Sequence, residues 1–408
     1  MTLPKEFEDY TRTLVGEDRW QRYIAAFDEP TPVSIRLNPF KVKEGDMDMS
    51  AMQPVPWCRN AFYLDRRPDF TMDPLLHAGV YYVQEASSMF LDNVLRQYMP
   101  ADVTMALDLC ASPGGKSTLL RAALPDDAQL YCNEPDRRRA NILMENIQKQ
   151  GHPKVCVTNN YAIDYQRSRL VFDLILCDVP CSGEGMFRKD SGAIGEWSMQ
   201  NVMKCASLQR SIIEDIWQSL KPGGLLVYST CTFNLHENEE NVKWICESLG
   251  AEILPVDVMA EWNIIGNMMP GWDAPVYRFM PGTTRGEGLF MAVLRKASDD
   301  VLSGKVQLKS LKILSDGKPQ PIVKGKNLIP DHAEALQYTL PDGKYPKTEL
   351  SLDNALRYLH HEALVLPPDV PKGIVVVTYK SHPLGFVKNI GNRANNLYPQ
   401  EWKIRKGI

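Results

Sequence analysis

The middle of the chain constrains the fold most strongly, because short apolar runs alternate with helical patterns between about residues 104 and 297. The spacing predicts strands over 104–109, 129–132, 155–157, 172–177 and 225–229, and helices over 116–123, 136–150, 206–220 and 238–249. Strands that alternate with helices form βαβ units and a mostly parallel sheet. Ligands of such α/β sheets bind beyond the carboxyl ends of the strands, so we expect the functional residues at those ends.

The chain is long enough for several domains, since its 408 residues exceed the ~100–200 that are usual for one. A proline-containing α/β segment over 1–75 precedes the predicted sheet domain, which we place at 76–297. The sequence KASDD at 296–300 is typical of a linker. It leads into a small α+β domain over 298–408, where 373–379 predicts a buried strand.

Charge is distributed unevenly along the chain. The net charge is −4, yet from Val301 onward there are 16 Lys and Arg against 9 Asp and Glu. A basic C-terminal part favours contact with nucleic acid, although the same charges could simply keep a small domain soluble. The terminal Lys403, Arg405 and Lys406 belong to this basic part, and Arg36 and Lys41 are the N-terminal cations that could replace them in holding a polyanion.

Composition argues against a membrane protein and a disulfide framework. No apolar run approaches the ~18–20 residues of a membrane helix, and the N-terminal segment lacks the apolar core of a secretory signal. We therefore expect a cytoplasmic protein. The nine cysteines are odd in number and form no C-x-x-C spacing, so we expect neither structural disulfides nor a metal site.

A glycine-containing loop follows the first strand of the sheet domain. The sequence DLCASPGGK at 108–116 leads directly into a predicted helix, where glycines let the backbone approach a ligand and the helix offers free N–H groups. The spacing fits neither the dinucleotide fingerprint G-x-G-x-x-G nor the phosphate-binding pattern G-x-x-x-x-G-K-[ST]. Glu134 lies about 20 residues further on, where Rossmann-like proteins bind a ribose hydroxyl, so the pair predicts a nucleoside-bearing cofactor.

Two further strands each deliver a cysteine at their carboxyl end. The run 171–177 is followed by Asp178, Val179, Pro180 and Cys181, and the run 225–230 is followed by Cys231. Free cysteines are most often small buried hydrophobes, but packing poorly explains two strand-end thiols beside a ligand loop. One of them is therefore a candidate nucleophile, and the residues by themselves leave open which one.

The loop, the acid and the two cysteine segments occur in one order and together resemble the RNA 5-methylcytosine methyltransferases of the Sun/Fmu/Nop family. Other segments are similar to the same family, and those at the two termini to a bacterial subgroup that modifies ribosomal RNA: LPKEF at 3–7, SIRLN at 34–38, YYVQEASS at 81–88, the segment 278–290 and VTYKSHPLGF at 377–386. The resemblance covers nearly the whole chain.

The resemblance implies an α/β fold with a class I S-adenosylmethionine-dependent methyltransferase domain, which is Rossmann-like with a mostly parallel sheet. It makes 1–75 an N-terminal RNA-binding extension, 76–297 the catalytic domain and 298–408 a basic domain of the PUA-like RNA-binding type. The implied cofactor is S-adenosyl-L-methionine, and the cofactor-binding residues are Cys110, Ala111, Ser112, Pro113, Gly114, Gly115, Lys116, Glu134, Arg139, Asn160 and Asp178. After the third strand the family usually carries an acid near the adenine, whereas this sequence has Asn160 or Tyr161 there.

The resemblance also assigns the chemistry. Cytosine carbon 5 is a weak nucleophile until a thiolate adds to carbon 6, so a cysteine must attack first. DNA cytosine methyltransferases use a Pro-Cys cysteine, which would nominate Cys181. In the RNA family the Thr-Cys cysteine attacks, here Cys231, and Cys181 assists breakdown of the adduct. Asp178 and Lys116 would contact the target base or stabilise its developing charge.

The expected function is methylation of carbon 5 of a specific cytosine in RNA, with small-subunit ribosomal RNA as the expected substrate, by a monomeric enzyme without membrane attachment. The target base must be flipped or presented from a loop. Two other enzymes remain open, a transfer-RNA and a DNA cytosine methyltransferase. A catalytically idle RNA-binding ribosome-assembly factor is the alternative from another class, and the joint presence of Lys116, Asp178, Cys181 and Cys231 argues against it.

Overall fold

A computed structural model describes residues 2–43, 45–50, 52–325 and 327–407. The N-terminal part forms a four-stranded antiparallel sheet in the order β2-β3-β1-β4. Its elements, together with the helix that leads into the next domain, are α1 Lys5–Val15, α2 Glu17–Ala25, β1 Val33–Leu37, β2 Gln53–Pro54, β3 Ala61–Leu64, α3 Pro74–His77, β4 Tyr81–Val83 and α4 Leu91–Tyr98. The sheet thus includes β4, which lies beyond residue 75.

The central domain contains the predicted βαβ units. Its elements are β5 Met105–Asp108, α5 Gly115–Ala123, β6 Gln129–Asn133, α6 Arg137–Gln150, β7 Val155–Thr158, α7 Ala162–Ser168, β8 Phe172–Asp178, α8 Ser191–Glu196, α9 Met199–Trp217, β9 Leu220–Thr230, α10 Glu239–Leu249, β10 Ala251–Ile253, β11 Tyr277–Phe279 and β12 Leu289–Lys296. Strands β7, β6, β5, β8 and β9 are neighbours in that order and pair in parallel. Strand β12 pairs antiparallel with β9, and both β10 and β11 pair antiparallel with β12. The predicted mostly parallel sheet is confirmed.

Boundaries differ from the prediction mainly around the fifth parallel strand. Helix α9 begins at Met199, earlier than predicted, because the Ser198 side chain accepts from the Asn201 amide and caps it. Strand β9 begins at Leu220 rather than 225, since residues 221–224 form an irregularity within the pairing with β8. Gly151 ends α6 in the left-handed conformation, with φ of 83°, as predicted.

The C-terminal part has a small sheet in the order β16-β17-β18-β19. Its elements are β13 Ile313–Ser315, β14 Ile322–Lys324, β15 Asn327–Ile329, α11 His332–Leu336, β16 Lys347–Glu349, α12 Leu352–Leu359, β17 Gly373–Tyr379, β18 His382–Asn389 and β19 Ala394–Asn396. Strand β17 matches the predicted buried strand. Strand β13 instead pairs antiparallel with β7, so residues 313–315, which lie beyond the predicted boundary at 297, extend the central sheet.

The first and last parts of the chain share one hydrophobic core. Ile35, Leu37 and Phe70 of the N-terminal part cluster with Tyr358 and Leu359 of the C-terminal part, all of them buried. Because apolar surface is removed from water across this contact, neither part buries its core alone. The two terminal parts therefore stabilise each other although the catalytic domain separates them in the chain.

Arg36 and Lys41 are committed to contacts inside the protein. The Arg36 guanidinium, 5% exposed, donates to the Gln84 side chain and to the Thr118 hydroxyl of α5. The Lys41 ammonium donates to the main-chain carbonyls of Ala78 and Lys149. These two cations hold the N-terminal part against the central domain, so neither side chain is free to hold a polyanion. In the described part of the chain no helix is long and apolar enough to cross a bilayer.

Candidate active site

The loop after β5 is built to approach a ligand closely. Gly114 has φ of 115°, a conformation that strains any L-residue, and a Cβ at this position would lie 3.3 Å from Leu143 of α6. Helix α6 also holds the loop by side-chain donors: Asn146 to the Pro113 carbonyl at 2.8 Å and Arg139 to the Ser112 carbonyl at 3.1 Å. The first turn of α5 follows, with N–H groups that have no partner within the helix.

Glu134 lies just beyond the end of β6, next to this loop. It is only 2% exposed, one carboxylate oxygen accepts from the Asp136 amide at 3.0 Å, and the other lies 3.5 Å from the Arg139 guanidinium. Burial raises the pKa of Glu134, while the Asp136 amide and Arg139 act in the opposite direction. The geometry leaves a carboxylate with spare acceptor capacity beside the glycine loop, which suits the hydroxyls of a ribose.

Asn160 follows β7 but does not offer its side chain to a ligand in this structure. Its Nδ2 donates to the Lys312 carbonyl at 3.3 Å and its Oδ1 accepts from the Lys312 amide at 2.9 Å. Both ends of the amide thus hold the segment that leads into β13. An adenine contact from Asn160 would require this pairing to open. The neighbouring Tyr161 is 71% exposed.

Lys116 and Asp178 meet at the carboxyl end of β8. The Lys116 ammonium donates to one Asp178 oxygen at 2.8 Å, and the Ser229 hydroxyl of β9 donates to the other at 2.7 Å. Burial by itself would lower the pKa of Lys116, but the attraction of Asp178 outweighs it and the pKa is raised. The site therefore contains a fixed pair of opposite charges, and Ser229 is a member of it that the sequence analysis missed.

The two strand-end cysteines are in contact. The Sγ atoms of Cys181 and Cys231 lie 3.2 Å apart, and the Cys231 amide donates to the Cys181 sulfur at 3.3 Å. The hydrogen bond between the thiols, followed by burial, raises the pKa of Cys181 well above its ordinary value. A Cys181 thiol in this position can donate a hydrogen bond to the Cys231 sulfur.

Two buried carboxylates, Glu184 and Glu237, lie among the hydrogen bonds of the cysteine loops and were also missed. Glu184 follows Cys181 by three residues and Glu237 follows Cys231 by six. Nothing in the local sequence distinguishes them from ordinary surface acids, because Arg188 and Lys189 follow the first and His236, Glu239 and Glu240 flank the second.

Together, the strand order, the glycine loop after the first strand and the acid after the second define a class I methyltransferase. Comparison with family models specifies the class further. The model described as "16S rRNA methyltransferase RsmB/F" matches residues 97–295, and models described as the N-terminal domain of 16S rRNA methyltransferase RsmF and the methyltransferase RsmF PUA domain match residues 3–86 and 345–404. The central part of the chain, residues 97–295, belongs to the RsmB/F family of methyltransferases.

Curated relatives align along nearly the whole chain. A protein of Photobacterium profundum named ribosomal RNA small subunit methyltransferase F is 29% identical, over 98% of this chain and 97% of its own. A protein of the same name from Serratia proteamaculans is 27% identical, over 100% of this chain and 97% of its own. The similarity is thus not confined to the catalytic domain.

Solved structures with the same fold come from Pyrococcus horikoshii. A methyltransferase homolog is 29% identical, with a TM-score of 0.60 over 72% of this chain and 95% of its own. The structure of NSun6 with SFG is 22% identical, with a TM-score of 0.60 over 72% of this chain and 99% of its own. The latter likeness concerns the fold alone.

Proposed function

We propose that this chain transfers a methyl group from S-adenosyl-L-methionine to carbon 5 of a cytosine in small-subunit ribosomal RNA, through a covalent adduct with Cys231. The contact between Cys231 and Cys181 beside the Lys116–Asp178 pair carries the proposal, because a methyl transfer to a basic nitrogen or oxygen needs no such pair of thiols. The family and the names of the full-length relatives support ribosomal RNA as the substrate.

The residues around the glycine loop fit the cofactor. Gly114, at a positive φ that glycine adopts freely, lets the backbone of 110–116 approach a ligand, and Glu134 has acceptors for ribose hydroxyls. Arg139 holds the loop through Ser112 rather than facing away from it. When bound, the cofactor supplies an electrophilic methyl group on a sulfonium. The loop and Glu134 would hold the cofactor, and Lys116 at the end of the loop contacts Asp178 at the end of β8.

Cys231 is the nucleophile in this proposal. Its sulfur would add to carbon 6 of the cytosine, so that electron density moves to carbon 5, which can then accept the methyl group. Cys181, as a neutral thiol, donates a hydrogen bond to this sulfur and so favours its thiolate form. The order of roles is thus opposite to that of a Pro-Cys nucleophile, and the match of residues 97–295 to the RsmB/F family supports it.

Asp178 and Lys116 would recognise the base and its developing charge. The Asp178 oxygens already accept from Lys116 and Ser229, an arrangement that suits an ionised carboxylate with room to accept from the cytosine amino group. Lys116, whose pKa is raised, remains protonated and can stabilise negative charge on the ring. A fixed pair in a partly buried site needs little reorganisation during the reaction.

Cys181 then acts when the adduct breaks down. The carbon 5 proton passes to solvent, the double bond between carbons 5 and 6 forms again, and the Cys231 sulfur departs with the electron pair of its bond to carbon 6. The Cys181 thiol, 3.2 Å from that sulfur, stabilises the negative charge of the departing group. Release therefore depends on Cys181 more than attack does.

The C-terminal domain is proposed to position the RNA. The family model for the PUA domain covers 345–404, and Lys372, Arg393 and Lys403 are exposed cations in this region. Phosphate contacts from such side chains fix the position of an RNA while carrying little sequence information. Base contacts would fall to the catalytic cleft, where the flipped cytosine must enter.

The test of the proposal is chemical mapping of the product. Purified protein with S-adenosyl-L-methionine and small-subunit ribosomal RNA, free or assembled, is expected to yield 5-methylcytosine at one site by bisulfite sequencing. Transfer RNA and DNA are the comparison substrates. Methylation of either of them in preference to ribosomal RNA would identify that nucleic acid as the substrate instead. RNA binding without any methylation would indicate a catalytically idle assembly factor.

A further inference from the structure

The loop after Cys181 and the loop after Cys231 are joined by a buried network. Glu184, on the first loop, accepts from the Phe233 and Asn234 amides of the second loop through one oxygen, and from the Trp197 indole at 3.0 Å through the other. The main chain adds a direct bond, from the Gly185 amide to the Cys231 carbonyl at 2.8 Å. The first loop is thus tied to the backbone next to Cys231.

Glu237 makes the reciprocal connection. It lies on the chain beyond Cys231 and accepts from both the amide and the hydroxyl of Ser182, the residue that follows Cys181. Gln209 of α9 donates to the same carboxylate at 2.8 Å. The Asn234 side-chain amide donates to Glu237 at 2.8 Å and to Glu184 at 3.0 Å, so one residue connects the two acids.

Burial of the two carboxylates is unfavourable for the free energy of folding unless hydrogen bonds compensate it. Glu184 is 1% exposed and Glu237 is 0% exposed, and the hydrogen bonds found for both in the described part of the chain come from neutral donors. Burying a charge costs far more than burying a neutral group unless several hydrogen bonds compensate it. Neutral glutamine in either position would avoid the charge but could not accept all of these bonds.

Close packing excludes alternative positions of the loops. A Cβ on Gly185 would lie 2.9 Å from the Gly288 Cα and 3.0 Å from the Cys231 carbonyl oxygen. The backbone of the Cys181 loop therefore lies directly against the Cys231 loop and against the segment before β12. Rigid hydrogen bonding and close backbone contact act together on the distance between the two sulfur atoms.

We infer that Glu184 and Glu237 are positioning residues that hold the Cys181 and Cys231 loops together, so that the Cys181 thiol stays in contact with the Cys231 sulfur while the RNA adduct forms and is released. This inference deepens the proposed function and rests on it for the part that concerns the adduct. Neither acid touches the substrate in this account. Their effect reaches the reaction through the relative position of two thiols.

The experiment measures that position directly. Equilibration of the whole protein with reduced and oxidised glutathione, without RNA, forms a Cys181–Cys231 disulfide while one oxidised glutathione becomes two reduced molecules. The equilibrium constant gives the effective concentration of the two thiols, read by peptide mapping. We expect Glu237→Gln and Glu184→Gln to lower it by roughly tenfold or more, since each removes charge-assisted bonds between the loops.

Glu240→Gln is the matched control, because Glu240 lies three residues beyond Glu237 but bonds to His236 near the surface. It should leave the effective concentration unchanged. With RNA, the two test variants should still form the adduct but release it more slowly than the control does. An effective concentration equal to that of the wild type in both test variants would overturn the inference.

Further measurements distinguish a loss of thiol positioning from misfolding of a variant and from failure of the proposed function. Calorimetric binding of S-adenosyl-L-methionine reports whether each variant is folded. If the glutamine variants do not bind it, Ser182→Ala is used to test the inference instead. This milder change removes one hydroxyl bond to Glu237, so a lowered effective concentration supports the inference and an unchanged one overturns it. If the wild type forms no RNA adduct at all, the proposed function fails, while the disulfide measurement still tests the positioning.

Discussion

The sulfur atoms of Cys181 and Cys231 lie 3.2 Å apart, although 50 positions separate the two residues in the chain. They meet because β8 and β9 are adjacent parallel strands whose carboxyl ends reach the same edge of the sheet. The Cys231 amide donates to the Cys181 sulfur at 3.3 Å, which fixes the second loop against the first. In the proposed mechanism Cys231 attacks the base and Cys181 assists release.

The first prediction concerns these roles. Cys231→Ala should lower methylation by several orders of magnitude and form no covalent RNA complex, because the nucleophile is gone. Cys181→Ala should form the complex and accumulate it, because the leaving sulfur loses its donor. Denaturing gels with labelled RNA report both outcomes, and Cys246→Ala on α10 is the control. Accumulation by Cys231→Ala instead would exchange the two roles.

The second prediction concerns cofactor binding. Glu134→Ala should weaken binding of S-adenosyl-L-methionine by about ten- to a hundredfold, since charge-assisted hydrogen bonds contribute about 1.5–3 kcal/mol. Isothermal calorimetry measures the affinity, and the exposed Asp127→Ala provides a control for a general loss of negative charge. Unchanged affinity in Glu134→Ala would remove Glu134 from the cofactor site.

The third prediction follows from Asp108 at the end of β5. It is fully buried, Ser117 donates to one oxygen, and the other has no partner among the described residues. Burial raises the pKa of Asp108 to about 7. The folded state therefore keeps a proton on Asp108 that the unfolded state loses near pH 4. The stability that protonated Asp108 contributes is fully present below that pH and is lost as the pH rises to about 7.

Asp108→Asn should remove this pH dependence. Relative to the wild type, the free energy of unfolding of the variant should rise by up to about 1.4 kcal/mol per pH unit between pH 5 and 7, and then level off. Urea denaturation at several pH values measures it, with Asp127→Asn as the exposed control. A difference between variant and wild type that stays constant with pH contradicts a raised pKa at Asp108.

The fourth prediction tests the RNA-binding role of the C-terminal domain. The double variant Lys403→Ala, Arg405→Ala should weaken RNA binding and reduce the slope of log affinity against log salt by about one to two units, because each phosphate contact releases counterions. Filter binding at several salt concentrations measures the slope. Arg19→Ala, Arg295→Ala, which removes two exposed arginines elsewhere, should leave it unchanged. An unaltered slope in the first variant would mean that these two cations do not contact RNA and serve only to keep the domain soluble.

The fifth prediction concerns the core that the two terminal parts share. Leu359→Ala on α12 removes a side chain that is 0% exposed and should lower the free energy of unfolding by about 2–5 kcal/mol. Because the core joins both parts, unfolding should remain one transition when it is followed by fluorescence and by circular dichroism. Leu352→Ala, on the same helix but 49% exposed, should cost far less. A separate early transition in Leu359→Ala would show that the C-terminal part unfolds alone.

The shared core also bears on removal of the C-terminal part. A chain ending at residue 297 would lose β13 from the edge of the central sheet and would expose Ile35 and Leu37 of the N-terminal part. Aggregation of such a truncation would follow from this exposure whatever the domain binds. Single surface substitutions therefore test RNA binding more cleanly than a truncation does.

Local sequence determined much of the catalytic domain. Apolar periodicity and turn residues act over a few positions, so the parallel strands, the glycine loop at 108–116 and the left-handed Gly151 could all be predicted. The same logic placed Asp178, Cys181 and Cys231 at strand ends. The carboxyl ends of parallel strands meet at one edge, so proximity of these residues followed from the pattern without knowledge of any single contact.

Only the tertiary structure decided which groups are engaged by distant parts of the chain. Asn160 has the side chain for an adenine contact, but Lys312, 152 positions away, holds its amide. The sequence suggested that Arg36 and Lys41 are free cations, but both donate hydrogen bonds to the central domain. Glu184 and Glu237 read as ordinary acids and instead join two loops. Each outcome depends on pairing between segments far apart in sequence, and no local period or turn encodes such a pairing.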